Sequence, residues 1–274
     1  MRTLLLCLCL LVSVSISADR KKSSKSKKQK QETEKLTELG QFQPDALIAP
    51  LTPQPPLDAD NANTLKADVR HHIVNRKLQG IDVSHYQNRI NWKEVARCGE
   101  VDYVYVKATE GAQLVDDTYR FNLNGARKAG LKVGIYHFYR PTADVRLQFQ
   151  NLSSTVSHRD MDLIPIVDVE HRGKEPLAKF QNKLKRFIDM VERHYGVKPI
   201  LYTSRDFYNK YLSGPFTDYK YMIARYHPEV PELCDDAAFV MWQYAATGRV
   251  SGIRGNVDRS CFMDQFTLRD IEMP

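Results

Sequence analysis

No Cys-x-x-Cys pair occurs in this 274-residue sequence, and none of its eight histidines has the His-Glu-x-x-His spacing. The first absence leaves zinc ribbons and thioredoxin-like redox chemistry without support. The second does the same for the common zinc hydrolases, and no metal or cofactor is expected. No apolar run reaches the ~20 residues that a membrane-spanning helix needs. Excess charge is missing too, once the N-terminus is set aside. Residues 1–30 carry eight Lys/Arg against Asp19 alone, a net +7 that equals the +7 of the whole chain, so residues 31–274 sum to zero. The pI of about 9.0 therefore describes a tail. A nucleic-acid-binding surface on the folded part is not expected.

What is present begins with Arg2, an apolar stretch from Leu4 to Val14, and the small residues Ser15-Ile16-Ser17-Ala18. That order reads as a signal peptide over 1–18, cut after Ser17 or Ala18, and implies secretion or export to the cell envelope. Cys7 and Cys9 leave with it. Export permits a disulfide among Cys98, Cys234 and Cys261, such as Cys234–Cys261, and the odd count leaves one thiol over. Residues 19–43 form a basic, polar tail, read as a solvated leader. Its other reading is an electrostatic contact with an anionic cell envelope. Residues 44–77 are a linker and lead-in, stiffened by Pro44, Pro50, Pro53, Pro55 and Pro56. A short helix is read over 61–79, and the folded domain over 78–274. No internal repeat of fixed period is found.

From there β-branched and aromatic runs alternate with helical patterns. Strands are expected at 80–83, 103–108, 133–138, 164–170 and 200–203, and helices at 92–98, 119–129, 143–156 and 177–195. Gly130 and Gly196 stand where helix C-caps belong. Strand then helix, repeated, signals a parallel sheet. Two further strands, 221–224 and 240–244, and a third near 256–258 follow without room for full helices between them. Some late strands are thus free to run antiparallel. The fold class is α/β: a modified TIM-like barrel with helices missing after the late strands, near that fold's lower size limit.

In a parallel barrel the active site lies at the C-terminal ends of the strands. Applied here, that rim gathers Asp82, Lys107, Glu110, His137, Tyr139, Asp168, Glu170, Tyr202, Gln243 and Asp258. Asp168 and Glu170 are two apart on one expected strand, so they share a face. Two close carboxylates cannot ionise equally, which is what glycoside hydrolysis uses. Asp168, shorter and of lower intrinsic pKa, is expected to stay ionised, and Glu170 to hold the proton. Tyr136, Tyr139, Tyr202, Trp242 and Tyr244 offer flat faces for sugar rings.

These residues carry a resemblance. Gly80-Ile81-Asp82-Val83-Ser84-His85-Tyr86-Gln87, Val106-Lys107-Ala108-Thr109-Glu110-Gly111 and Gly134-Ile135-Tyr136-His137-Phe138-Tyr139 resemble three motifs of glycoside hydrolase family 25, the N-acetylmuramidase (lysozyme) family. Asp168-Val169-Glu170, Trp242-Gln243-Tyr244 and Asn256-Val257-Asp258 resemble three more, in the same order, over about residues 79–262. The resemblance implies cleavage of the β-1,4 bond between N-acetylmuramic acid and N-acetylglucosamine in bacterial peptidoglycan, by a monomer. It implies that Glu170 is the general acid and that Asp168 assists the substrate's N-acetyl group or stabilises charge. It makes Asp82 and Asp258 the other catalytic rim acids. Substrate would then meet Lys107, Glu110, Tyr136, His137, Tyr139, Tyr202, Trp242 and Gln243. Two other readings are a barrel hydrolase of chitin-like polymers and a non-catalytic wall-binding protein.

Overall fold

The structure is a computed structural model and describes residues 77–274. The expected signal peptide, tail, linker and nearly all of the expected lead-in helix lie outside the described residues.

Nine strands form one sheet: β1 (Gln79–Val83), β2 (Tyr103–Glu110), β3 (Leu114–Val115), β4 (Lys132–Phe138), β5 (Ile166–Asp168), β6 (Ile200–Ser204), β7 (Tyr221–Ala224), β8 (Met241–Gly248) and β9 (Val257–Phe262). The order β1-β9-β8-β7-β6-β5-β4-β2-β3, with β1 also paired to β2, closes eight of them into a barrel. The two-residue β3 is a flap on the edge of β2. Every barrel pair from β1–β2 round to β7–β8 is parallel. Only β9 runs the other way, antiparallel to both β8 and β1. The antiparallel option thus falls on one strand. The segment 225–240 carries β7 over to parallel β8 without a helix.

Among the described residues four helices pack outside: α1 (Trp92–Arg97), α2 (Tyr119–Lys128), α3 (Val145–Thr155) and α4 (Leu177–Tyr195). Asp144 caps α3 by accepting from the N–H groups of Arg146 and Leu147. Along α4, Phe180, Leu184, Phe187, Ile188, Val191 and Tyr195 recur at helical spacing and are all buried, so one stripe faces the barrel. Gly196 ends it in the left-handed conformation, φ 72°. After β6 a short α-helical turn, Arg205–Phe207, runs into a π-helical turn, Tyr208–Leu212, which the sequence pattern does not announce.

The barrel interior is apolar below and polar above. Tyr103, Tyr105, Ile164, Ile166, Ile200, Met222, Met241 and Phe262 belong to its apolar plug. Two rings fit only because glycines face them: a Cβ on Gly80 would stand 2.1 Å from Tyr103, and one on Gly134 2.3 Å from Tyr105. Tyr103 shares a hydrogen bond with Ser260 at 3.0 Å, and Tyr105 donates to the Ile164 carbonyl at 3.1 Å. With the lower barrel filled this way, a ligand can enter only at the upper rim.

One expectation needs correction, and one open question is answered. The fourth expected strand stops at Asp168, so Glu170 stands just past the sheet; there the Tyr139 N–H donates to the Asp168 carbonyl and the Val169 N–H to the Tyr202 carbonyl. The Cys234–Cys261 disulfide is not formed: Cys98, Cys234 and Cys261 are all free, with Cys234 exposed and Cys261 buried in β9.

Candidate active site

A cleft opens at the upper rim, lined by Asp82, Ser84, Tyr86, Gln87, Lys107, Tyr136, Phe138, Ile166, Asp168, Glu170, Tyr202, Met222, Gln243 and Asp258. Its four carboxyls come from three places. Asp82 on β1 pairs in register with Asp258 on β9. Because β9 is antiparallel, its beginning rather than its end reaches this rim. Asp168 closes β5, and Glu170 follows it over the cleft. Asp168 is buried and Glu170 exposed.

Hydrogen bonds fix the walls. Gln243 Nε2 donates to Asp82 Oδ2 at 2.9 Å. The hydroxyls of Tyr202 and Tyr226 both donate to Gln243 Oε1, at 2.8 and 2.9 Å, which holds the amide in that orientation. On the opposite flank Lys107 Nζ lies 2.6 Å from Glu110 Oε2. Glu110 Oε1 accepts from Arg140 Nε at 2.8 Å.

Every one of the four carboxyls is pushed toward its neutral form. Burial raises the Asp82 pKa to about 8, against the hydrogen bond from Gln243 and with help from Asp258. Burial, then the charge of Glu170, raises Asp258 to about 6. Asp168 goes well above the carboxylate range, first by burial and then by Glu170. Glu170 is raised less. It is exposed by area, yet the cleft walls still desolvate it, while His171, Arg140 and Lys107 oppose the rise. Asp168 and Glu170 titrate together, so one proton belongs to the pair. Burial draws that proton toward Asp168, and Asp168 Oδ1 is buried with no hydrogen-bond partner. The expectation that Asp168 keeps the charge in the free protein is therefore reversed. Its lower intrinsic pKa is outweighed by its place beneath the surface.

Of the expected substrate-binding residues, Lys107, Tyr136, Tyr202 and Gln243 line the cleft. Four others do not. His137 points outward, fully buried, between Thr109 (2.8 Å) and Gln148 (3.4 Å), with burial lowering its pKa to about 4. Tyr139 is fully buried against Phe187, its hydroxyl unpartnered. Trp242 packs in the layer between barrel and helices and donates to the Arg225 carbonyl at 2.9 Å. Glu110 lies behind the cleft wall as the partner of Lys107 and Arg140. Tyr244, another expected sugar platform, donates instead to Gln79 Oε1 at 2.7 Å.

The alternation of side chains along a strand accounts for three of these errors. With Asp168, Tyr136 and Gln243 facing in, His137, Tyr139 and Trp242 must face out. The same rule would have found Phe138. Ser84, Tyr86 and Gln87 belong to the Gly80–Gln87 motif, but strand periodicity does not place them in the site, because they sit on a short 3-10 turn, His85–Gln87, closed by a Ser84–Gln87 capping box. Tyr226 and Arg140 lie in loops, where no period applies.

Among the described residues one group has metal-ligand proximity: His85, Asp116 and Asp117, outside the cleft's carboxyl cluster. Asp116 already accepts from the backbone and ring nitrogens of His85 and from the Thr118 N–H and hydroxyl. Its lone pairs are committed to holding the turn after β1.

Residues 81–253 match the profile described as Glycosyl hydrolases family 25. YegX of Escherichia coli O6:H1 is 35% identical over 189 residues, 68% of this chain and 69% of its own. Lysozyme M1 of Streptomyces globisporus is 31% identical over 199 residues, 68% of this chain and 67% of its own. The structure of a family 25 glycosyl hydrolase from Bacillus anthracis superposes with a TM-score of 0.63 at 28% identity, covering 69% of this chain and 90% of that one.

Proposed function

The chain belongs to glycosyl hydrolases family 25 and is a glycoside hydrolase, and from that premise we propose that it is a lysozyme: it cuts peptidoglycan between N-acetylmuramic acid and N-acetylglucosamine. The observation that carries this is the pairing of a buried and an exposed carboxyl, Asp168 and Glu170, over one cleft. The pair holds one proton, and only Glu170 is open to a ligand. As a glycosidic oxygen settles there, the shared proton passes from Asp168 through Glu170 to that oxygen, whose bond to the sugar carbon breaks. Asp168, then charged, stands under the developing oxocarbenium ion. Water adds to that carbon, and its proton returns to the pair. Asp82, held neutral at pH 7 by burial, donates a hydrogen bond to the sugar, whereas Asp258, at about 6, is mostly charged at that pH and accepts one. Tyr136 and Tyr202 give the cleft flat, partly apolar walls for pyranose faces. The kinship with Lysozyme M1 favours the wall polymer over a chitin-like one.

The proposal extends to location. The Arg2–Ala18 pattern supports export, and the basic segment beyond it supports contact with an anionic envelope.

The test is Glu170→Gln, which keeps size and hydrogen bonding but cannot deliver an acidic proton. Cleavage of peptidoglycan should nearly vanish while the fold survives. An activated aryl glycoside, whose leaving group needs less acid help, should lose much less rate. Equal loss on both substrates, or none, removes Glu170 as the acid. Mass spectrometry of the fragments must show N-acetylmuramic acid at the new reducing ends; release from chitin instead would overturn the substrate.

A further inference from the structure

Arg140 is held more firmly than a surface cation needs to be. One fully buried amide grips its backbone at both ends: the Arg140 N–H donates to Gln148 Oε1 at 2.8 Å, and the Arg140 carbonyl accepts from Gln148 Nε2 at 2.9 Å. Its stem crosses Gly111 so closely that a Cβ there would stand 3.2 Å from Arg140 Cγ. Its guanidinium lies 4.4 Å from the ring centre of Phe138, which lines the cleft. Nε and Nη2 both donate to Glu110 Oε1, at 2.8 and 2.5 Å. An arginine fixed in this way has little rotamer freedom left to lose when a ligand arrives.

The charges around it are unbalanced. Glu110 gives its other oxygen to Lys107, so two cations share one anion. The Lys107 side chain is 8% exposed and that of Arg140 42%, so the surplus charge is presented by Arg140. Glu110 occupies Nε and Nη2 of the guanidinium, and the hydrogens of Nη1 remain for a ligand. Arg140 is near enough to Glu170 for its charge to be felt there. Elsewhere the cleft is lined with carboxyls, a poor reception for an anionic group.

We infer that Arg140 is a specificity-determining residue that binds a carboxylate of the substrate, next to the bond that Glu170 protonates. The inference rests on the lysozyme reading. N-acetylmuramic acid differs from N-acetylglucosamine by a lactyl ether on C3 that ends in a carboxyl group. In peptide-free glycan that carboxylate is free; in intact wall it is joined to a stem peptide with carboxylates of its own. Both sources offer the same partner to a planar guanidinium. A chitin-like polymer offers none.

Steady-state kinetics test it, with wild type and Arg140→Gln acting on peptide-free wall glycan and on intact sacculi, each before and after methyl esterification of its carboxylates. On the free acids the substitution should raise KM about tenfold, the scale of one charge-assisted hydrogen bond. It should leave kcat at the optimum pH in place and leave KM on the esters unchanged, and Arg140→Lys should recover part of the loss. A rise on the peptide-free glycan alone assigns the lactyl carboxylate, a rise on sacculi alone assigns the stem peptide, and a rise on both shows that the guanidinium accepts either. Equal losses on acid and ester, or a fallen kcat with KM unchanged, would make Arg140 a support for Glu170 and overturn the inference. If Arg140→Gln does not fold, wild type alone decides: it must prefer acid to ester by a similar factor, and equal KM values overturn the inference. Wild type that cleaves neither glycan nor sacculi overturns the lysozyme reading and takes this inference with it.

Discussion

At Asp82 the burial that suits a neutral, hydrogen-bond-donating acid also makes ionisation costly to the fold. Its carboxyl titrates at about 8 in the folded protein, against an ordinary value of 3.8. Between those values the folded chain holds a proton that the unfolded chain has lost, so stability falls as the pH rises through that window. Asp82→Asn removes the titration. Its melting temperature should gain on wild type between pH 4 and pH 8, and parallel curves for the two proteins would refute the assignment. Asp168→Asn asks about chemistry instead. It keeps the shape and removes the charge that appears under the sugar when the proton leaves. A loss of about ten- to a thousandfold in kcat is expected, ~1.4–4 kcal/mol of transition-state stabilisation. A folded variant with the wild-type rate would show that this charge does nothing.

Among the elements, β1 and β4 depend on residues that have no side chain. Gly80 and Gly134 leave the space that the Tyr103 and Tyr105 rings fill, and a methyl group at either must displace a ring inside a closed barrel. Gly134→Ala should cost about 1–3 kcal/mol of unfolding free energy in urea, the usual range for overpacking. A stability within error of wild type would mean that the interior is looser than drawn here. Such fits are hard to see in a sequence, because they depend on which residues become neighbours across the barrel. The strands and helices themselves were legible. The α4 stripe from Phe180 to Tyr195 and the closing Gly196 are local signals, and so is the Ile-Pro-Ile-Val lead to Asp168. Asp82, Asp168 and Gln243 could be placed at one rim from strand order alone; Asp258 reaches it not as the end of a strand near 256–258, as expected, but at the start of the reversed β9. The depth of each group could not be read this way. Asp168 sinks and Glu170 surfaces because β5 stops between them, and that depends on hydrogen bonds to β4 and β6 partners far away in the chain.

For the whole molecule, charge is divided between residues 31–274, which sum to zero, and an N-terminal segment that holds seven cations between Arg20 and Lys30. Deleting residues 19–60 should leave turnover of short soluble glycans unchanged. It should weaken binding to whole anionic walls at low salt, and added salt should erase the difference as the Debye length shrinks. Equal wall binding by both forms would reduce the segment to a leader. Sequencing of the exported protein should find a start near Asp19, and an intact Met1 would sink the export reading.

The reversed strand β9 has a consequence in time. It wedges between the first strand and the eighth, and it carries Asp258 to Asp82, which was synthesised long before. A contact this distant in sequence closes late, since chain entropy opposes it until most of the barrel stands. While a ribosome is still making Gly248, Asp82 and Asp168 can already be joined through β1, β2, β4 and β5, but the strand that carries Asp258 and closes the barrel does not yet exist. The fourth carboxyl of the cleft is thus delivered last, together with the seam that closes the barrel.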